Sequence, residues 1–309
     1  MSEVLVLPTI DGDPGETFPN SRFSHLAGTK WICDEKNHVR QYQRVMERLL
    51  ALLEESGLQG KVTWFLNEGD VGWSAKYKTL IRDMVRAGYE IGLHTHVGSI
   101  FRDAGLETLS SGDEVYEIMK RTKEDLERCL GKACLSHRFG CYYQTKTLYS
   151  LVKRMGLRIL SDVNPGVFLR DLEGHILDNA NVPLDVLPWR HDEGNWLDFG
   201  SRQGHFLHIP VCAAGITGDA LLEEGQPGNI NGREIKNITP LNCLVGKAQR
   251  HAIKCLCWDI HPHEIQTLDG GIDVDKVSAL RDSLARIEDA FHPKCVTFGE
   301  FERTATVVT

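Results

Sequence analysis

Short apolar runs, several rich in β-branched residues and ending in reactive polar side chains, alternate along this chain with amphipathic helical segments. That alternation constrains the fold more than any other feature. The first run, Val4 to Ile10, ends in Asp11-Gly12-Asp13. From Val39 to Ser56, Tyr42, Val45, Met46, Leu49, Leu50 and Leu53 fall on one helical face, and Gly57 is the stop. Lys61 to Leu66 reads as a second strand, a helix follows near Ala75 to Ala87, and Tyr89 to Leu93 is a third strand. Ser111 with Glu114 forms a capping box that opens a helix carrying Val115, Ile118, Met119, Leu126 and Leu130. Further strands are predicted at Ala133 to Ser136, Leu157 to Leu160, Phe206 to Val211, Lys254 to Ile260 and Cys295 to Phe298. Helices are predicted around Leu148 to Met155 and after Asp273, as far as Phe291. Two stretches break the rhythm. A Gly-, Pro- and Asn-containing insertion of loops and hairpins spans about 165–205, and a Gly- and Asn-rich stretch at about 213–242 reads as a mobile loop. The expected architecture is one α/β domain over residues 1–309, a closed or nearly closed parallel (β/α) barrel.

Composition narrows the partners. Net charge is −8 with a pI near 5.9, and no Lys/Arg run suits a phosphate backbone or an anionic membrane surface, so neither nucleic acid nor membrane docking is expected. No eighteen-residue apolar stretch exists, and the beginning MSEVLVLPTIDGD lacks a positive n-region. Nine cysteines, an odd number without CxxC pairs at zinc spacing, read as reduced thiols, with Cys255 and Cys257 in the core. A cytoplasmic location is expected.

The reactive residue types follow the strands. Asp11 and Asp13 follow the first, His94 and His96 the third, and His137 and Arg138 the fourth. Asp162 and Asn164 follow the fifth, and His261 and His263 the late CLCWDI strand. In a β/α barrel the carboxyl ends of the strands open onto one mouth, where the active site is built. Residues i and i+2 of a strand share a face, so Asp11 with Asp13 crowds two carboxylates together, a placement that calls for a cation or a shared proton. By the same spacing His94 and His96 can converge on one ion. One carboxylate and two imidazoles make the three protein ligands of an open zinc site. Each motif has a plainer reading too: Asp-Gly-Asp-Pro as a turn, a lone histidine as hydrogen-bonded packing, His-Pro as a helix start.

The ordered motifs TIDGDP, YEIGLHTH, SHRFGCYY, RILSDVNPG and CLCWDIHPHE resemble the polysaccharide deacetylases, also called the NodB-homology family or carbohydrate esterase family 4. The resemblance runs from Val4 to about Phe291 and implies a distorted (β/α) barrel with a divalent metal, usually zinc. By resemblance Asp11 is the catalytic base, Asp13 the metal-binding aspartate and His94 the first histidine ligand. Arg138 is the arginine that orients the base, and His261 the general acid. Asp162 falls in the fourth motif region. Gly12 separates aspartates that are usually adjacent, and Gly98 stands where the second histidine ligand is usual. His96 is the nearest substitute, with His137 an outside candidate. Cys141 and Tyr142 lie where a backbone N–H would hold the oxyanion, and His263 joins them and Asp162 as a substrate-binding candidate.

The implied activity is removal of an N-acyl group, N-acetyl in the first instance, from an amino sugar in a soluble or lipid-linked biosynthetic intermediate. Trp31, Trp73, Trp189, Trp196 and Tyr142 could stack on sugar faces, although packing is the plainer reading of each. Two alternatives remain: hydrolysis of a cyclic imide, ureide or formamide on the same fold, and an inactive carbohydrate-binding relative.

Overall fold

The computed structural model describes residues 4–12, 35–66, 79–95, 112–140, 144–165, 168–170, 176–183, 185–211, 228–230, 233–235, 254–267 and 271–305. The main sheet begins with β1 (Leu5–Asp11), β2 (Thr63–Leu66), β3 (Glu90–Thr95), β4 (Ser136–Phe139) and β5 (Ile159–Leu160). It is completed by β8 (Trp189–His191), β9 (Phe206–His208), β12 (Cys255–Ile260) and β13 (Lys294–Cys295). Their order is β12-β1-β2-β3-β4-β5-β9-β8, with β13 pairing β1 as well. All neighbours are parallel except β8 and β9. The sheet curls into a half-barrel. Among the described residues β12 and β8 are its two ends, so the barrel is distorted and open there. Two hairpins lie off it, β6 (Phe168–Arg170) with β7 (Ile176–Asp178), and β10 (Gly228–Ile230) with β11 (Arg233–Ile235). The first of these and β8 fall inside the predicted insertion.

The helices are α1 (Glu35–Glu55), a stretch at 79–86, α2 (Gly112–Leu130), α3 (Lys146–Arg154), α4 (Val274–Phe291) and α5 (Phe298–Ala305). Gly57, Gly88, Gly131 and Gly156 all have positive φ, the left-handed geometry that only glycine adopts freely at a helix end. Asp273 caps α4 by accepting from the backbone N–H of Asp275 and Lys276. On α1, Val45, Met46, Leu49, Leu52 and Leu53 are buried against Val6, Ile10, Trp64 and Leu66. Each such fully buried side chain stabilises the fold by about 1.5–3 kcal/mol.

Two predicted boundaries move. The fourth strand starts at Ser136 rather than Ala133, because the Glu127 carboxylate accepts from Cys134 N (2.8 Å) and holds that segment off the sheet. The run Cys295 to Phe298 is a strand only at its beginning, for Thr297 and Glu300 form a reciprocal capping box that starts α5. The next two amides of α5 are also taken, Phe298 N by Thr63 Oγ1 (3.1 Å) and Gly299 N by Glu90 (2.5 Å). The helix is thereby fixed beneath the sheet.

Strand alternation divides the core in two. Residues such as Val6, Ile10, Trp64 and Leu93 pack with the helices. The intervening Leu7, Phe65, Ile159, Leu207, Cys255 and Cys257 form a separate cluster on the concave side, closed by Phe298 and Phe301 of α5. Among the described residues no two cysteines are joined in a disulfide, and Cys255 and Cys257 are buried in the core.

Candidate active site

Following the concave positions toward the carboxyl ends of the strands, the lining turns polar. In β1 it runs Leu7, Thr9, Asp11, and in β12 it runs Cys255, Cys257, Asp259, then His261 just beyond the strand. Parallel pairing sets Thr9 opposite Asp259 and His94 opposite Arg138. Arg138 has no exposed surface, and its guanidinium lies 4.6 Å above the Phe65 ring. Gly92 makes room for that ring, since a Cβ there would stand 2.7 Å from Phe65 and 2.6 Å from Ser136 Oγ. The glycine of EIGLHTH therefore has a steric cause.

Every face of the guanidinium is engaged. Nε donates to Ser161 O (3.1 Å), Nη2 to Ser161 Oγ (3.0 Å), and Nη1 to Thr9 Oγ1 (3.0 Å). Nη1 also lies 2.8 Å from Asp11 Oδ1 and 2.8 Å from Asp259 Oδ1. The second oxygen of Asp11, Oδ2, is 3.9 Å from His94 Nε2 and 3.9 Å from His261 Nε2. Asp11 and His94 are almost fully buried, whereas the His261 side chain is 26% exposed, so the cluster reaches solvent on that side.

One guanidinium among two carboxylates leaves an excess negative charge in a low-dielectric setting. Burial, then the charge of Asp11, pushes Asp259 up to about 6 despite the Arg138 and imidazole charges nearby. Such a surplus favours a cation facing Asp11 Oδ2, and carboxylate with imidazole donors suits zinc. Asp11, Asp259 and His261 also bring one donor atom each within 4.8 Å of one another.

Of the residues expected from sequence, Asp11, Arg138, His94 and His261 are brought together. Asp13, His96, Cys141 and Tyr142 lie outside the described residues, as does the side chain of His263, whose backbone is in the short 3-10 turn Pro262–Ile265. Asp162 is fully buried beside the cluster and accepts from Phe139 N (2.7 Å), bracing the end of β4. Burial raises its carboxyl to about 8, so it is largely a neutral acid at pH 7. His137 lies within β4 and is fully buried, against the Phe139 ring and 3.0 Å from Thr95 Oγ1. Strand alternation sends it to the opposite face from Arg138. Trp189 and Trp196 pack rather than line the mouth: Trp189 is buried against His208 and donates to Trp196 O, while Trp196 meets Tyr149 edge-on. Trp31 and Trp73 lie outside the described residues. Asp259, Thr9 and Ser161 are the residues that motif reading passes over. Asp259 was reachable by period two, since it precedes His261 by two positions on one strand.

Residues 37–160 match the family model for polysaccharide deacetylase. Among solved structures, the chain is similar to a Mycobacterium smegmatis protein assigned as a polysaccharide deacetylase, with 16% identity and a TM-score of 0.61. That alignment covers 99% of this chain and 92% of the other. It is also similar to the Xyl-CE4 domain of a multidomain xylanase from the hindgut metagenome of Trinervitermes trinervoides, at 14% identity, 98% and 92% coverage and a TM-score of 0.48. A family 4 carbohydrate esterase from Streptomyces lividans, solved with acetate, aligns at 12% identity over 96% of this chain and 92% of its own, with a TM-score of 0.44. No curated protein matches the chain. The family match over residues 37–160 and the shared distorted barrel make the chain similar to the polysaccharide deacetylases in that segment and in fold.

Proposed function

We propose that the chain is a metal-dependent hydrolase that removes an N-acetyl group from an amino sugar, acting as one catalytic domain. The observation that carries this reading is the divided Asp11 carboxylate. One oxygen is 2.8 Å from Arg138 and the other faces two imidazoles at 3.9 Å each. Asp13, His94 and His96 are the proposed metal ligands. When bound, a divalent ion, zinc by donor type, supplies Lewis acidity to the acyl carbonyl and to water.

The chain's own groups do the proton work. Arg138, 2.8 Å from Asp11 Oδ1, fixes the orientation of Asp11 so that Oδ2 can accept the proton of the attacking water. A backbone N–H near Cys141 or Tyr142 stabilises the oxyanion. His261, partly open to solvent, gives a proton to the departing amine, which must not leave as an anion. His263 is a proposed substrate contact, while the buried Asp162 braces the end of β4 beside the site. The substrate in this reading is a soluble or lipid-linked amino-sugar intermediate in the cytoplasm, and the acidic balance of the chain suits a product that carries a free amine. No helix among the described residues is long and apolar enough to cross a membrane.

The test is elemental analysis of protein purified without chelator, followed by acetate-release assays on free, nucleotide-linked and lipid-linked N-acetyl sugars. Cyclic imide and formamide substrates are run in parallel. About one equivalent of metal, acetate release, and loss and zinc-dependent recovery of turnover on chelation are expected. Hydrolysis of the imide alone, or no metal and no turnover, would overturn the reading.

A further inference from the structure

Asp259 has no role in the reading above, yet it is the second carboxylate on Arg138. Its Oδ1 is 2.8 Å from Arg138 Nη1, the same distance as Asp11 Oδ1, and it lies 3.1 Å from Thr9 Oγ1. Thr9 Oγ1 is itself 2.7 Å from the Trp258 carbonyl oxygen, so β1 and β12 are cross-tied beside this ion pair. Asp259 has only 1% of its surface exposed, and His261 follows it by two residues on the way to the mouth.

From this we infer that Asp259 is a positioning residue. By sharing Arg138 Nη1 with Asp11, it keeps the guanidinium from closing a bidentate pair on Asp11. That holds Asp11 Oδ1 inward and leaves Oδ2 turned to the gap between His94 and His261. An unopposed arginine takes a carboxylate by both oxygens, since the two forks match. Here Ser161 holds Nε and Nη2 at 3.1 and 3.0 Å, and Asp259 and Thr9 compete for Nη1, so one oxygen of Asp11 is left over. With its Oδ1 already 2.8 Å from the guanidinium, Asp259 could reach a cation only through Oδ2.

The inference rests on Asp11 acting as the base, and its test separates the two ideas. Asp259→Leu removes the acceptor at similar size, whereas Asp259→Asn keeps an oxygen for Arg138. For the leucine variant kcat should fall about 100-fold, the scale of a misplaced catalytic group, with KM within about twofold and the metal content of the wild type. The asparagine variant should recover to within about fivefold of wild type. Crystal structures should show Arg138 bidentate on Asp11 in the leucine variant only. Loss of metal from Asp259→Leu would make Asp259 a ligand and overturn the inference. So would an unchanged kcat, or an Asp11–Arg138 geometry identical to wild type. Should the leucine variant fail to fold, a 100-fold loss in Asp259→Asn with its arginine contact intact would overturn it equally. If wild-type protein releases no acetate, the proposed activity fails, and the variant crystal structures still decide the positioning claim.

Discussion

On the concave side of the sheet, Arg138 gathers Asp11 and Asp259, and the cluster opens to solvent at His261. On the other side of β9 from Leu207, His208 and His191 form a second buried polar cluster, closed and neutral. His208 Nε2 lies 3.2 and 3.1 Å from the backbone N–H of Asp162 and Val163, so it must be the bare, accepting nitrogen. Its Nδ1–H then donates to His191 Nε2 (3.0 Å), and His191 Nδ1–H to the Asp192 carbonyl (2.9 Å). Burial holds both imidazoles below their ordinary value, His208 well below it. Every polar atom in that pair is satisfied within the protein, whereas the Arg138 cluster carries surplus charge and an oxygen aimed at the mouth. Burial of polar groups is common to both. The unspent capacity marks the one with chemistry left to do.

The comparison breaks most readily at Arg138. Arg138→Met strands two buried carboxylates and should cost about 3–5 kcal/mol in urea unfolding, together with nearly all turnover. If stability hardly changed, the charge excess described for this cluster would be wrong. A smaller effect is expected at the floor of the same cluster. Gly92→Ala drives a methyl to within 2.7 Å of the Phe65 ring that supports Arg138, and should destabilise by about 1–3 kcal/mol. A lowered kcat should accompany it, because the guanidinium moves with the ring. The smallest effect belongs to the neutral pair. The folded state holds His208 unprotonated while the unfolded chain takes up a proton near 6.5, so its contribution is present above that pH and is lost as pH falls. His208→Leu should therefore flatten the decline of stability below pH 6.5 by up to about 1.4 kcal/mol per pH unit. An unchanged slope would mean that the folded imidazole titrates normally.

The alternation of strands and helices was readable from period and from glycine stops. Gly57, Gly88, Gly131 and Gly156 end their helices with the positive φ that makes glycine informative. The C-terminal helix was hidden because Cys295 to Phe298 looks like any short apolar run, and only the Thr297–Glu300 box betrays it. Asp11, His94, Arg138 and His261 were readable because each sits at or near a strand end with a reactive side chain. Asp259 could be placed beside His261 by period two, but its pairing with Arg138, 121 positions away, could not, because no local pattern couples them. The histidine pair was invisible for a similar reason: an antiparallel pairing of β8 with β9 brings it together.

The central claim is that Asp11 is held by Arg138 to act as a base, and Asp11→Asn tests it most directly. Asparagine still offers an oxygen to Arg138, so unfolding free energy should stay within about 1.5 kcal/mol of wild type, the worth of one hydrogen bond. Acetate release from the substrate should fall about 10²–10⁴-fold, the range of a lost general base, with metal content unchanged. A variant that keeps most of its turnover would contradict the account.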